Sequence, residues 1–533
     1  MTENWYQNAI FYELYVRAFR DSNGDGKGDL PGVIEKLDYL KDLGVDCIWL
    51  LPIYPSPLKD DGYDIADFMH IHPDFGTVED FKRLMNEAHK RGMYVIADLV
   101  LNHCSDQHYW FQSALKDPMS KYKDYFVWSK TGKEYADTRV IFLDTEPSNW
   151  TYSPEVGEFY WHRFYASQPD LNYRNPALQE EMINIMRYWA SLGLDGFRAD
   201  AVPYLFEREG TNCENLPETH DFLKKIRAIL DKEYPGRILL AEANQWPNDV
   251  REYFGDGDEF TMAFHFPLMP RIYMSMKKGD PAPIRWALEN TPAIPDGCQW
   301  CTFLRNHDEL TLEMVTEEER QWMWQQYAPD PKMKLNLGIR RRFAPLMDND
   351  IQKMKQANAI LFSLPGTPII YYGDEIGMGD NIDLFDRNGV RTPMQWSAKA
   401  KNAGFSEGST LYAPVIESHE YSPTRVNVED QQKDPESMLN FMKHIVKLRK
   451  ERPFLAGSRI QFIESTNAAT LCVMREGNGR RMLAIHNLGE SSAYVTLPER
   501  LNFKPQMELL TGTPVPADLK TYELAPHQSV WLE

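Results

Sequence analysis

Three acidic residues follow short apolar runs, in places where a buried strand would otherwise be uncharged. Asp200 ends "LDGFRAD", Glu242 stands in "ILLAEA", and Asp308 follows "CTFLRN". Arg198 precedes Asp200 by two residues, so both side chains point to the same side of an extended strand. One such acid is explained by a structural ion pair, but burying three costs several kcal/mol each. We therefore interpret the three acids as parts of one reaction site.

Two of these carboxylates could act on a glycosidic bond. In retaining enzymes one carboxylate attacks the sugar carbon and the other protonates the leaving oxygen, from about 5 Å apart. Arg198 would keep Asp200 ionised as the nucleophile. The apolar neighbours of Glu242 would raise its pKa and suit it to the role of acid. Spacing alone also allows the opposite assignment of the two roles.

The elements that would position these acids alternate along the chain. Helical patterns, such as residues 31–44 and 77–92, separate most of eight strand-like apolar runs: 9–16, 45–51, 93–100, 194–200, 238–243, 259–264, 301–306 and 367–372. Buried parallel strands read as continuous apolar runs, and eight strand–helix units indicate an α/β fold, a (β/α)8 TIM barrel. In such a barrel, charged residues at the carboxyl ends of strands are the catalytic candidates. The same alternation could form an open, doubly wound sheet.

Three segments break or follow this alternation. Residues 103–170, rich in Tyr, Trp, Asp, Ser and Pro, predict a domain B inserted after the third strand. Residues 313–350 predict a second subdomain, inserted after the seventh strand. Short alternating runs over 453–533 predict a C-terminal antiparallel β-sandwich. The barrel would then take residues 1–102 and 171–452.

Composition limits the classes of partner. A net charge of −20 over 533 residues argues against nucleic acid and anionic membranes, which need a basic surface. The N-terminal residues lack the pattern of a signal peptide, and no run of about 18 apolar residues predicts a transmembrane helix. Six scattered cysteines predict reduced thiols in a cytoplasmic protein. Cys298 and Cys301 form a lone C-x-x-C, which we interpret as two ordinary buried cysteines.

Longer stretches around the acids carry a family resemblance. Five stretches resemble, in order and spacing, the motifs of the α-amylase superfamily (glycoside hydrolase family 13): "DLVLNH" (98–103), "QPDLN" (168–172), "GFRADAV" (196–202), "EANQW" (242–246) and "RNHDE" (305–309). In addition, "GVRTPMQW" (389–396) resembles the oligo-1,6-glucosidase and trehalose synthase branch. The resemblance extends over essentially the whole chain.

The resemblance implies roles for individual residues. Asp200 would be the nucleophile, Glu242 the general acid and base, and Asp308 the acid that grips the sugar hydroxyls in the transition state. It also implies the substrate contacts, with Tyr63 as stacking platform and two phenylalanines as walls: Asp60, Tyr63, His103, Phe142, Phe164, Arg198, His307 and Arg391.

Two calcium sites are predicted. The stretch "DSNGDGKGD" offers oxygens at the alternate spacing of a calcium loop: Asp21, Asn23, Asp25, the Lys27 carbonyl and Asp29. Position 12 of this loop is Gly32 where an EF-hand has a bidentate glutamate, and a solvated turn is the alternative. The resemblance to trehalose synthases implies a second set of ligands: Asn102, Asp170, Glu207 and the carbonyls of Tyr204 and Leu205. We expect no organic cofactor.

Four stretches resemble trehalose synthases more than oligo-1,6-glucosidases: "AEANQWP", "NLPETHDFLKKIR", "RNHDELTLEMV" and "GIRRRFAPLMDND". This implies interconversion of maltose and trehalose with little hydrolysis, and the two inserted segments would act as lids that exclude water. The alternatives are an α-glucosidase, an oligo-1,6-glucosidase or a sucrose isomerase and, in another class, a non-catalytic amylase-like barrel. We expect a disaccharide as the small-molecule partner and a possible homo-oligomer. Because the sequence printed above contains no maltokinase-like segment, a maltokinase partner would be a separate chain.

Overall fold

Eight parallel strands close into a barrel in the computed structural model, which describes residues 4–457, 459–517 and 519–533. We name these strands β1 to β8 in chain order: Phe11–Leu14, Cys47–Leu50, Tyr94–Val100, Gly196–Asp200, Ile238–Ala241, Met262–Phe264, Gln299–Phe303 and Thr367–Tyr371. Each strand pairs with the next along the chain, and β1 closes on β8 through Phe11 and Ile369. The predicted TIM barrel is confirmed, and the open-sheet alternative is wrong.

Most predicted runs contain their strand, but β7 begins at Gln299, two residues before the predicted run 301–306. Residues after Phe303 leave the sheet, and the Arg305 side chain donates there to the carbonyls of Arg341 and Asp308. This turn carries the chain out of the barrel wall just before Asp308.

Helices lie between most of the barrel strands. Their bounds are Val16–Phe19, Leu30–Glu35, Leu37–Leu43, Val78–Lys90, Tyr109–Lys116, Pro176–Ser191, Pro217–Glu233, Pro247–Glu252, Leu268–Lys278, Ala282–Glu289, Glu317–Tyr327, Phe343–Leu346, Ile351–Ser363, Val428–Lys433 and Met438–Lys450. Thr77 and Asp80 form a capping box at the start of Val78–Lys90, within the helical pattern predicted over 77–92. The single helix predicted over 31–44 is wrong, because the Lys36 N–H bonds back to Val33 and ends the first helix there.

Two small antiparallel sheets stand outside the barrel. After β3, three strands pair in the order Trp128–Ser129, Glu158–Trp161 and Trp150–Ser153. After β7, three shorter strands pair in the order Leu310–Thr311, Gly338–Ile339 and Lys334–Leu335. The second sheet begins at Leu310, before the predicted subdomain start at residue 313.

The C-terminal part contains a sandwich of two antiparallel sheets. The larger sheet has the order Gln461–Phe462, Thr470–Gly477, Arg480–Asn487, Ser529–Leu532, Met507–Glu508 and Thr513–Pro514. The smaller sheet pairs Ala493–Thr496 with Thr521–Leu524. Side chains such as Leu483 and Leu524 form a core between the two sheets. Among the described residues, no helix combines the length and the apolar character that a membrane crossing needs.

Candidate active site

Arg198 is the centre of a charge cluster at the carboxyl ends of β3, β4 and β5. Its Nη1 lies 2.6 Å from the Asp98 Oδ1 atom and also contacts Asp200. Its Nη2 lies 2.8 Å from the Glu242 Oε1 atom. Because the guanidinium is almost fully buried and has a fixed fork of donors, it sets the relative positions of three carboxylates. Asp98 is the first residue of the motif "DLVLNH", but it was not among the predicted site residues.

The backbone just after β4 supplies a second hydrogen-bond donor to the Glu242 carboxyl. Ala201 adopts a left-handed conformation with φ of 52°, and its N–H donates to the Glu242 Oε2 atom at 2.9 Å. A non-glycine residue held in this region is strained, and such residues concentrate at functional sites. Ala201 also lines the cavity beside Asp200. Each oxygen of Glu242 therefore has a donor supplied by β4 or the residue after it.

Burial raises the pKa values of both reacting carboxyls. It raises the pKa of Asp200 to about 6, against the opposing effect of Arg198. Burial likewise raises the pKa of Glu242 to about 7, with Arg198 opposing and Asp200 adding to the rise. Between these values Asp200 is ionised while Glu242 keeps its proton, which suits a nucleophile and an acid respectively.

Asp308 is the third acid, and three cations surround it. Its Oδ1 atom lies 2.8 Å from the Arg387 Nη1 and 3.0 Å from the Arg391 Nη2. Its Oδ2 atom lies 3.2 Å from the His307 Nε2. Burial opposes ionisation, but the positive charges of His307 and Arg387 outweigh it and hold the pKa of Asp308 well below its usual range. Asp308 is therefore ionised wherever the pair Asp200 and Glu242 can react.

The inner end of the cavity is polar and tightly hydrogen-bonded. Asp60 accepts from the Arg387 Nη2 at 2.6 Å and from the Gln168 Nε2 at 2.9 Å. The Tyr63 ring lies parallel to the His307 ring, with centroids 5.1 Å apart. The His103 Nε2 lies 3.2 Å from the Tyr63 carbonyl oxygen, and burial lowers the pKa of His103 to about 4. His103 is thus neutral at physiological pH.

One cavity brings most of the predicted site residues together. The space within it and at its open mouth is about 800 Å³. The predicted residues that line it are Asp60, Tyr63, His103, Phe142, Phe164, Asp200, Glu242 and Asp308. The lining also contains residues that were not predicted to contact the substrate, among them Ile141, Tyr204, Asn244, Glu309, Glu313 and Arg387. Arg198, His307 and Arg391 are outside this lining and bind the acids that form it.

The structure places Arg391 beside Asp308 and outside the lining of the cavity, and its predicted contact with the sugar ring stays a prediction. Arg391 binds Asp61 at 2.8 Å and the His307 carbonyl at 2.9 Å, so its guanidinium is held behind Asp308. Arg387, four residues earlier, is the arginine that lines the cavity. Arg391 lies in the motif "GVRTPMQW", whereas Arg387 lies in "FDRN", which matches none of the quoted motifs.

The two inserted segments meet at the outer wall, which we define by Arg139, Asp144, Glu214, Glu313 and Asn336. The Arg139 Nε lies 2.8 Å from Glu214, and its Nη1 lies 2.8 Å from Glu313. The Asn336 N–H donates to the Asp144 Oδ2 atom at 2.7 Å. Because Glu313 itself lines the cavity, these contacts join segment 103–170 to segment 313–350 at its rim.

The side chains of the second predicted calcium site present oxygen atoms that are suited to bind a cation. The Asn102 Oδ1, Asp170 Oδ2 and Glu207 Oε1 atoms are buried, and none has a hydrogen-bond donor within the described part of the chain. Burial raises the pKa of both Asp170 and Glu207 to about 8. Oxygen atoms that lack donors are what a hard cation such as calcium requires.

In the first predicted calcium loop, the Asp21 carboxylate is already hydrogen-bonded to backbone N–H groups. Asp21 accepts N–H groups from Asn23, Gly24 and Gly26, so its oxygens already have donors. Over residues 4–457, 459–517 and 519–533, no three side chains of His, Cys, Asp or Glu converge as metal ligands. The second set does not conflict with this, since it contains only two residues of those types. Both calcium sites stay predictions.

The catalytic-domain profile of the α-amylase family, described as "Alpha amylase, catalytic domain", matches residues 13–457. The chain belongs to the α-amylase family. A trehalose synthase/amylase of Mycobacterium tuberculosis is 56% identical over 493 residues, covering 91% of this chain and 82% of that protein. A trehalose synthase of Pimelobacter sp. strain R48 is 51% identical over 529 residues, covering 96% and 92%.

Solved structures agree with this assignment. The trehalulose synthase MutB from Pseudomonas mesoacidophila MX-45 is 28% identical, with a TM-score of 0.81 and coverage of 99% of both chains. Because its 51–56% identical relatives named above are trehalose synthases, the chain groups with the trehalose synthases within glycoside hydrolase family 13. The predictions of an enzyme and of this superfamily are confirmed, and the non-catalytic alternative is set aside.

Proposed function

We propose that this enzyme interconverts maltose and trehalose by transferring a glucosyl group within one enclosed cavity, with retention of configuration. The observation that carries the proposal is the arrangement of the walls: Asp200, Glu242 and Asp308 lie at one end, and Arg139 joins two inserted segments at the other. The similarity to trehalose synthases supports the same reaction.

In the first half-reaction Asp200 acts as nucleophile. Its carboxylate forms a bond to the anomeric carbon of the non-reducing glucose as the bond from that carbon to the glycosidic oxygen breaks. Glu242 gives its proton to this oxygen, so glucose leaves as a neutral molecule. Asp308 would hold hydroxyls of the reacting ring, because it is ionised and directed into the cavity.

In the second half-reaction the released glucose turns over in the cavity. Its anomeric hydroxyl attacks the glucosyl–enzyme bond, and Glu242, now a carboxylate, takes the proton of that hydroxyl. Asp200 leaves with its bonding electrons, and trehalose results. Each half-reaction inverts the anomeric carbon, so the sum is retention.

The outcome depends on whether glucose or water completes the reaction. Ile141, Phe142, Phe164 and Tyr204 give the cavity an apolar side that a sugar ring can pack against. The ion pairs of Arg139 at the rim would slow both the escape of glucose and the entry of water. We expect a minor hydrolytic product for the fraction of turnovers in which the rim opens.

Incubation of the purified enzyme with maltose tests this proposal. We expect trehalose to form faster than free glucose, and the reverse reaction to form maltose from trehalose. Free glucose as the main product, with little trehalose, would favour the α-glucosidase alternative. Efficient conversion of sucrose into isomeric disaccharides would favour the sucrose isomerase alternative. Glu242→Gln serves as the control for contaminating activity.

We also propose that one calcium ion binds at Asn102, Asp170 and Glu207, with the Tyr204 and Leu205 carbonyls as further ligands. The support is the group of buried oxygens without donors among the described residues. A cation there would fix the turn between Asp200 and Glu207, and hence the start of the cavity wall at Tyr204. Its role is structural, and no step of the reaction passes through it.

We further propose a cytoplasmic location. All six cysteines are free and buried, and structural disulfides are rare in the cytoplasm. Thiol titration of the unfolded protein without reductant should give six thiols per chain. The predicted homo-oligomer and the predicted separate maltokinase stay predictions.

A further inference from the structure

Glu13 is a carboxylate in the wall of the barrel that the proposed mechanism does not use. It lies on β1, whose four residues are all buried, and its side chain is fully inaccessible to water. Its neighbours across the sheet are Trp49 on β2 and Tyr371 on β8. An acid in such a place is costly unless a donor or a cation partners it.

The partner of Glu13 is His307. The Glu13 Oε1 atom lies 2.5 Å from the His307 Nδ1 and accepts the His307 backbone N–H at 3.1 Å. The other oxygen, Oε2, has no hydrogen-bond partner among the described residues. One carboxylate oxygen thus holds both the backbone and the ring of the residue that precedes Asp308.

The opposite edge of the same ring faces Asp308. The His307 Nε2 lies 3.2 Å from the Asp308 Oδ2 atom. Tyr63 lies parallel to the ring at 5.1 Å, and Trp49 meets it edge-on at 5.8 Å. A neutral imidazole has one nitrogen lone pair, which would point at a carboxylate oxygen on one side or the other. The Nε2 contact with Asp308 is an ion-pair distance, since Nε2 has no hydrogen-bond partner among the described residues. Only a ring that carries protons on both nitrogens presents an N–H to each acid and is positively charged.

We propose that Glu13 is a positioning residue of the reaction, which keeps His307 doubly protonated and directed at Asp308. This inference rests on the proposed function, because it assigns Asp308 to the reacting sugar. Glu13 also cancels the charge of His307. The ring can therefore stabilise ionised Asp308 at the inner end of the cavity without adding net positive charge near the developing oxocarbenium ion.

Acids and arginines surround the His307 ring. Acids face the ring from β1 as Glu13, from β3 as Asp98 and from its own segment as Asp308. The arginines nearby are Arg391, whose Nε binds the His307 carbonyl, and Arg387, which binds Asp308. Burial lowers the pKa of His307, but Asp308 and Glu13 outweigh it and raise this pKa to about 9.

Histidine protonation in the intact enzyme tests the inference without any assay of activity. Protein labelled with ¹⁵N-histidine would be examined by NMR from pH 6 to 8, with His307→Gln used to assign the signal. We expect both His307 ring nitrogens to be protonated throughout this range. A neutral His307 ring at pH 7 would overturn the proposal, whichever sugar the enzyme converts.

Glu13→Gln tests the consequence for the reaction. The amide keeps a hydrogen-bond acceptor for Nδ1 but removes the negative charge, so His307 should lose its second proton at lower pH than in the parent. We expect kcat for maltose consumption at pH 7 to fall about 10- to 100-fold, in the range for loss of one oriented donor. Loss of the Glu242 proton sets the alkaline decline of kcat near pH 7 in the parent. In the variant the decline should begin at lower pH, because the pKa of His307 falls below that of Glu242, and KM should be less affected.

Glu375→Gln is the matched control. Glu375 is also fully buried, but its Oε1 accepts from Tyr12 and Tyr39 and lies apart from His307. We expect this variant to keep the pH dependence of the parent. An unchanged rate in Glu13→Gln, or a loss of equal size at every pH, would contradict a positioning role. Counting total maltose consumed, whether trehalose or glucose forms, separates failure of this inference from failure of the proposed function.

Discussion

The inner and outer walls of the cavity are built in different ways. The inner wall contains Asp200, Glu242 and Asp308, and Arg198 and Asp98 lie behind it on β4 and β3, whose register the barrel hydrogen bonds determine. The outer wall comes from two inserted segments, which meet through the ion pair of Arg139 with Glu313 and through a hydrogen bond from the Asn336 N–H to the Asp144 carboxylate. We infer that the inner wall supplies the chemistry and that the outer wall decides which acceptor completes it.

Asp200→Asn should have the largest effect, because it removes the nucleophile of the inner wall. We expect kcat to fall about 10⁴-fold or more, with isomerisation and hydrolysis falling together. Product formation from maltose gives both rates. Asp42→Asn, a solvent-exposed change on the outside of the barrel, should leave them unchanged. If Asp200→Asn kept the parent rate, the assigned mechanism would be wrong.

The pH profile also reports on the inner wall. Burial raises the pKa of Asp200 to about 6 and that of Glu242 to about 7. Activity should fall below pH 6 as Asp200 takes up a proton, and above pH 7 as Glu242 loses its proton. Outside this window kcat/KM should drop about tenfold per pH unit. A flat profile between pH 5 and 9 would disagree with this assignment of acid and nucleophile.

Arg139→Ala acts on the outer wall. It removes the ion pairs to Glu214 and Glu313, so the rim should open more often to water. We expect the ratio of glucose to trehalose to rise several-fold, while total maltose consumption changes less. This corresponds to about 1 kcal/mol, the scale of partly exposed ion pairs.

The matched control for this variant is Arg187→Ala. Arg187 also binds two glutamates, Glu180 and Glu233, but it lies on the helices outside the barrel. Its replacement should leave the product ratio unchanged. If Arg139→Ala gave the ratio of the parent, the outer wall would not control the acceptor.

Calcium removal should have the smallest effect on the reaction. Adding calcium to chelator-treated enzyme should raise Tm by a few degrees, because a ligand that binds only the native state stabilises it. Glu207→Gln should lose most of this shift, whereas Asp25→Asn in the first loop should keep it. Loss of the shift in Asp25→Asn alone would place the ion in the first loop instead.

The sequence was sufficient to predict the three acids and the role of Arg198 beside Asp200. It was insufficient to predict other groups that bind the acids, such as Arg387 beside Asp308. Asp200, Glu242 and Asp308 interrupt apolar runs at places where a barrel exposes strand ends, so pattern and motif agreed on them. Glu13 also interrupts an apolar run, "AIFYELYV", so the same pattern could have marked it as a candidate functional residue. The pairing of Arg139 with Glu313 joins residues 174 positions apart, and no local pattern contains such a contact.

Transfer within a closed cavity is the central claim, and isotope competition tests it most directly. The enzyme would convert unlabelled maltose in the presence of excess ¹³C-glucose, and the trehalose formed early in the reaction would be analysed by mass spectrometry. If the released glucose stays in the cavity, this trehalose contains almost no label. Trehalose with one labelled ring, in proportion to the added glucose, would show that the acceptor comes from solution and would contradict the account.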